Sequence, residues 1–167
     1  MNNKICFSPW VNWVNRNTLA RRDGKDIGGI YLFARFEQGP LTNSADPLEN
    51  SVIYIGQSSK GTFKSRWEAF GRAVLKVKGR GKRYVSLFGS DLSCLYVATL
   101  SVKEVVKAFL TIGSCSFLDV DASSAMVDAT SGKFLDNNVD LLLKYMERRL
   151  ILLYTLHHGY RPLLNTD

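Results

Sequence analysis

The sequence predicts an α/β domain in which a small three-stranded antiparallel sheet is flanked by helices. Three runs of β-branched and aromatic residues supply the strands: GIYLFAR from Gly29, SVIYIG from Ser51, and CLYVATLSV over residues 94–102. Two stretches, residues 62–76 and 139–157, place apolar side chains at helical intervals. The chain has 167 residues, 46% of them hydrophobic, which is enough for one buried core. No internal repeat or low-complexity linker divides it, so residues 1–167 are expected to form a single domain.

Residues 8–20, SPWVNWVNRNTLA, set Trp10, Trp13, Val14 and Leu19 at helix-like intervals, so a short amphipathic helix is expected there, with both tryptophans packed on the core. Residues 23–29 turn into the first strand. If the first two strands pair as neighbours, Ile53 and Ile55 join Ile30 and Leu32 on the buried face, and Tyr31 and Tyr54 share the opposite one. The interval from Gln38 to Asn50 is rich in Gly, Pro, Asn and Ser and reads as a long loop, either a substrate contact or a neutral insertion.

Thr62 is well placed as an N-cap, and Phe63, Trp67, Phe70 and Val74 form the buried stripe of the helix that follows. Arg66 lies one helical step from Thr62 and Phe70, at the edge of that stripe and toward the tyrosines. Residues 72–83 then carry Arg72, Lys76, Lys78, Arg80, Lys82 and Arg83 around Gly79 and Gly81. This basic run on flexible backbone is the phosphate-contacting segment the sequence predicts; a merely solvated basic loop is the plainer reading. A helix is expected over residues 103–113, a loop with a short helix over 114–138, and a long helix from Val139 to His157, with Gly159 as its C-cap.

The charge balance, 22 Lys and Arg against 15 Asp and Glu, gives a net charge of +7 and suits a polyanion, whether nucleic acid or an anionic membrane surface. Cys6, Cys94 and Cys115 are odd in number and widely spaced, which suits reduced thiols rather than a disulfide framework or a zinc site. The N-terminus does not read as a leader peptide, and the apolar stretch LILLYTLHHGY is too short to span a bilayer. A cytoplasmic location without membrane association is expected.

Glu147 has Leu143, Leu150 and Ile151 as helical neighbours, so its carboxylate lies along an apolar face. A buried charge needs compensation there, either from Lys144, Arg148 or Arg149 or from a divalent cation. One carboxylate completed by waters and a substrate phosphate suits magnesium.

Taken in order, Gly29-Ile30-Tyr31, Tyr54-Ile55-Gly56, Phe63, Arg66, Trp67, Glu147 and the terminal Pro162-Leu163-Leu164-Asn165 resemble the signature of the GIY-YIG nuclease superfamily. The resemblance covers the strands, the first helix and the C-terminal helix, and leaves residues 1–28 and 103–136 unaligned. It implies an endonuclease that hydrolyses phosphodiesters of DNA, double-stranded DNA being the expected partner, with Mg2+ or Mn2+ as cofactor. By the same resemblance Tyr31 is the general base or the residue relaying the proton from water, and Tyr54 positions water or phosphate. Arg66 pairs with the scissile phosphate, Glu147 holds the metal and Asn165 supports the site. A free phenol titrates near ~10, so a Tyr31 phenolate at neutral pH requires adjacent positive charge. One departure stands out: Phe70 occupies the position where many members of the family have a histidine, and His157 and His158 end the last helix. The alternative from another class is a catalytically silent nucleic-acid-binding module on the same scaffold.

Overall fold

The structure, a computed structural model, describes residues 6–22, 25–26, 28–42, 44–59, 61–106 and 133–165. Its sheet has four antiparallel strands rather than three. β1 (Val11–Asn12) lies at one edge, followed by β6 (Leu95–Ser101), the central β4 (Gly29–Arg35) and β5 (Val52–Ser58). A separate two-stranded pair joins β2 (Arg21–Arg22) to β3 (Lys25–Asp26).

The added strand comes from the segment expected to be helical. Val11 and Asn12 pair with Val97 and Tyr96, and only Trp13–Thr18 winds, as a 3-10 helix whose first turn is capped by the Asn12 side chain on the Val14 amide (3.0 Å). Asparagine competes with helical backbone through its own side chain, and three of them occur between residues 12 and 17. The tryptophans are both buried, as expected, but on opposite sides of the sheet: Trp10 packs edge-on to Phe36 (5.4 Å), Trp13 against Phe33 and Phe70.

Both sheet faces are covered. On the first, α4 (Lys133–His158) lays Leu143, Met146, Leu150 and Tyr154 over Ile30, Leu32, Ile55 and Leu100. On the second, α1 (Phe63–Leu75) and α2 (Gly79–Phe88) bury Phe63, Trp67, Phe70, Val74 and Tyr84 against Tyr31, Phe33, Tyr54 and Val97. Ile53 corrects the expected facing. Phe33 pairs with Tyr54 and Ala34 with Val52, which leaves Ile53 as the extra residue of a β-bulge, on the second face beside Tyr54.

Helix α1 begins as its sequence suggests. Thr62 Oγ1 accepts from the Ser65 amide, and Ser65 Oγ accepts from the Thr62 amide, both at 3.2 Å, a reciprocal capping box with serine in the usual glutamate place. The basic run after it is not a flexible loop. Residues 79–88 are helical because Arg, Lys and Leu favour helix, Tyr84 anchors the buried side, and Gly81 permits contact with α1 backbone. A short helix α3 (residues 102–106) opens the stretch expected to be helical to residue 113; the rest of it, and most of the expected loop over 114–138, lie outside the described residues. Helix α4 starts at Lys133, earlier than Val139, and ends on Gly159, whose φ of 78° and amide bond to Thr155 O (2.8 Å) make the expected C-cap.

The α1–α2 turn stores strain. Lys78 N–H bonds Ala73 O and Val77 N–H bonds Val74 O, closing the end of α1 with Val77 in the left-handed position (φ 50°) that normally takes glycine. A β-branched residue there carries a penalty of about 1–2 kcal/mol, partly offset by the chain entropy that glycine would lose on folding. Val77→Gly is therefore expected to stabilise the protein by about 0.5–1 kcal/mol, read as a higher urea midpoint at unchanged slope.

Candidate active site

Strands β4 and β5 bring the two tyrosines together. Tyr31 pairs with Gly56 across the ladder, and Phe33 with Tyr54, so both phenols stand on the α1–α2 face with ring centroids 5.8 Å apart. Gly56 makes this possible: a Cβ on it would fall 2.5 Å from Tyr54 Cε1 and 2.8 Å from Tyr31 Cζ. Phe63 and Trp67 back Tyr31 edge-on from α1.

The tyrosines form the floor of a cleft of about 390 Å³, into which three helices contribute charged groups. Arg66 enters from α1, as its position in the helix predicts, and Glu147 from α4. Arg80 enters from the start of α2, its guanidinium 4.5 Å from the centroid of the Tyr54 ring. Gln57, two residues beyond Ile55, completes the polar lining. Glu147 can reach this side because α4 packs on the first sheet face along β5, the edge strand, while the cleft opens on the second.

The carboxylate is not neutralised by its helical neighbours. Lys144 pairs with Asp140 (2.7 Å), Arg149 reaches the Tyr145 hydroxyl, and Glu147 has no ion pair among the described residues. Partial burial raises its pKa; Arg80, then Arg148 and Arg66, oppose that without cancelling it. Arg66 and Arg80 also lack ion pairs among the described residues. Gln57 Oε1 is buried without a hydrogen-bond partner.

Both phenols are 5% exposed, and burial raises both above the ordinary value of 10.0. For Tyr31 the rise is large, and burial is reinforced by Tyr54, including a hydroxyl hydrogen bond that favours the neutral form; Arg80 and Arg66 pull the other way and lose. For Tyr54 burial also leads, with Glu147 adding to it, while Arg80, the Tyr31 hydroxyl and Arg66 lower the value. The positive charge that a Tyr31 phenolate would require is present in Arg80 and Arg66 but is outweighed by burial. The neutral Tyr31 phenol is the favoured form at neutral pH.

Asn165 is held outside the cleft. Its side chain accepts from the Ile55 amide (2.9 Å) and donates to the Ile55 carbonyl (2.8 Å), and Leu164 N–H bonds Ile53 O, so the C-terminal segment covers the free edge of β5. Asn165 thus braces the strand between Tyr54 and Gly56. Asn165→Ala removes both bonds and is expected to cost about 2 kcal/mol in urea unfolding. Phe70, the departure from the resembled signature, lies in the aromatic core against Phe33 (4.9 Å). His158 bonds Leu48 O, and neither His157 nor His158 lines the cleft. The loop from Gln38 to Asn50 is tied down by Trp10 on Glu49 and by Tyr154 and Tyr160 on Asn50, and none of its described residues lines the cleft.

Arg72, Lys76, Lys78, Arg80, Lys82 and Arg83 are all exposed, on α1, the turn and α2. Arg72 is partnered by Glu68 at 3.9 Å. Sequence reasoning placed Arg80 in a basic loop and passed over Gln57. Its signal for Arg80 was the charge run itself; for Gln57 it had none beyond adjacency to Gly56. Cys94 forms no disulfide among the described residues, and Cys115 lies outside them. Among the described residues no helix is long and apolar enough to cross a membrane, and no group of three or more His, Cys, Asp or Glu side chains is clustered to hold a metal. Searches of family models, curated proteins and solved structures found no match to this chain.

Proposed function

We propose that the chain is a GIY-YIG-type endonuclease that hydrolyses DNA phosphodiesters with magnesium or manganese. The observation that carries this reading is the convergence, on one open cleft, of two phenols, two guanidiniums and a carboxylate that has no ion pair among the described residues. Each is a group that phosphodiester hydrolysis uses, and they arrive from five separate elements.

The donor set fits a hard divalent cation. Among the described residues the Glu147 carboxylate has no ion pair and the buried Gln57 Oε1 has no hydrogen-bond donor, while the rest of a magnesium shell is ordinarily water and substrate phosphate. Glu147, with Gln57 beside it through water, would hold the ion. Bound there, it would supply positive charge at the departing 3′ oxygen. Arg66 presents a planar fork to the nonbridging phosphate oxygens. Tyr31 orients the attacking water and relays its proton, accepting it while the phenol pair gives up one of its own to solvent. The bond to phosphorus forms as the bond to the 3′ oxygen breaks, that oxygen leaving with a proton from solvent. The aromatic wall of Phe33 and Phe70 limits water to the open side of the cleft. The exposed cations on α1 and α2 extend the positive surface from the cleft and suit the backbone of duplex DNA.

A plasmid-nicking assay with and without magnesium tests the reading. The wild-type protein is expected to nick only with the metal. Tyr31→Phe, Arg66→Ala and Glu147→Ala should each cut the rate by on the order of 10²–10³-fold while the circular dichroism spectrum is retained. Wild-type rates in all three variants would remove the nuclease assignment. A DNA mobility shift without strand breakage would establish the silent binding module instead.

A further inference from the structure

Arg80 differs from the other cations of the basic run in what it touches. Arg72, Lys76, Lys78, Lys82 and Arg83 do not line the cleft, whereas Arg80 covers the Tyr54 ring and shares the cleft with Arg66 and Glu147. Its placement is built in. Gly81, the next residue, is fully packed, and any Cβ there would collide with the Ala73 carbonyl and the Val74 amide of α1. The start of α2 is thereby pressed onto the last turns of the helix that carries Arg66. The cation–π contact with the phenol ring holds the Arg80 guanidinium over Tyr54, and Arg80 has no ion pair among the described residues, so its N–H groups can turn to an anion. Helix α2 has no side-chain N-cap and no acidic residue in its first turn, so the positive end of its dipole adds to the same charge.

We propose that Arg80 is a second phosphate-binding residue of the reaction centre, gripping the substrate phosphodiester from α2 while Arg66 grips it from α1. This rests on the nuclease reading for its substrate, but the anion site itself is a property of the two arginines. Tyr54 then serves as the platform that orients Arg80. Glu147, in the same cleft, attracts both cations and offsets part of their mutual repulsion. A chain without a histidine in this cleft obtains from Arg80 the additional positive charge that the transition state requires.

Two measurements separate this proposal from the reading it deepens. The first titrates inorganic phosphate into the metal-free protein, followed by calorimetry and by the NMR signals of the arginine side chains. Wild type should bind, Arg66→Ala and Arg80→Ala should each weaken binding at least tenfold, and Lys103→Ala, an exposed charge elsewhere, should not. The second measures nicking kinetics. Arg80→Ala should lower kcat by on the order of 10²-fold with little change in KM, and Arg80→Lys should recover only part of it, because an ammonium lacks the fork. DNA cleavage by wild type together with undiminished kcat and phosphate affinity in Arg80→Ala would overturn the proposal and leave the nuclease intact. Absence of cleavage with phosphate binding that needs both arginines would overturn the nuclease and keep the site. Phosphate binding lost in neither arginine variant, or absent from wild type, would also overturn the proposal.

Discussion

Replacing Glu147 with glutamine is expected to lower DNA cleavage by on the order of 10³-fold and, at the same time, to raise the thermal midpoint of the metal-free protein at neutral pH. The two effects share a cause. Burial lifts the folded-state pKa of this carboxyl above its ordinary 4.5, and the attraction of Arg80, Arg148 and Arg66 does not restore it. A carboxyl with a raised folded pKa holds its proton better folded than unfolded. Its ionised form therefore works against folding at pH values above that raised pKa, and the penalty fades as pH falls through the folded pKa toward the unfolded one, below which both states are protonated. Glutamine has no charge to bury, so its advantage should be present at pH 7 and absent below about pH 4. Magnesium should reverse the order at pH 7, raising the wild-type midpoint but not that of Glu147→Gln. Thermal melts of both proteins at the two pH values, with and without magnesium, check all of this. A destabilised Glu147→Gln protein at pH 7 would mean that the carboxylate is a structural ion-pair member after all.

Much of the cleft was legible because its parts sit in regular elements. Period-two spacing put Tyr31 and Tyr54 on one sheet face, and helical spacing put Arg66 at the edge of a buried stripe and Glu147 on an apolar one; the coordinates place all four around the same cleft. What failed was whatever depended on contacts between elements. The β-bulge at Ile53 moved one residue to the other face, which strict alternation cannot anticipate. Trp10 and Trp13 looked like one helical stripe and turned out to serve two faces, because Asn12 caps a short turn after a strand residue. The sheet gained its fourth strand from that same segment. The environment of the phenols was hidden too, since a sequence shows which charges are near Tyr31 in the chain but not how completely Phe63, Trp67 and Tyr54 exclude water from it.

Gly81 is where the largest loss of stability is expected, and the contrast with Gly79 identifies its cause. In the sequence the two glycines look alike, two breakers within a basic run. Gly79 has a positive φ of 50° and open space around it, so Gly79→Ala pays only for a left-handed alanine, about 1 kcal/mol. Gly81 has ordinary helical backbone and no room: a methyl group would meet the Ala73 carbonyl and Val74 amide, which are main-chain atoms of α1 and cannot rotate away. Gly81→Ala would gain about 1 kcal/mol from helix propensity and lose more than that by forcing α1 and α2 apart, a net cost of about 3 kcal/mol. Tyr84 is fully buried on the same helix, so separation also opens the core beneath it. Displacing the start of α2 carries Arg80 away from Tyr54, and cleavage should fall even at temperatures where the variant is folded. Urea midpoints for Gly79→Ala and Gly81→Ala, measured beside their nicking rates, decide the matter. Equal, small losses in both would show that α2 is free to shift on α1, and the position of Arg80 would then need another explanation than the glycine beside it.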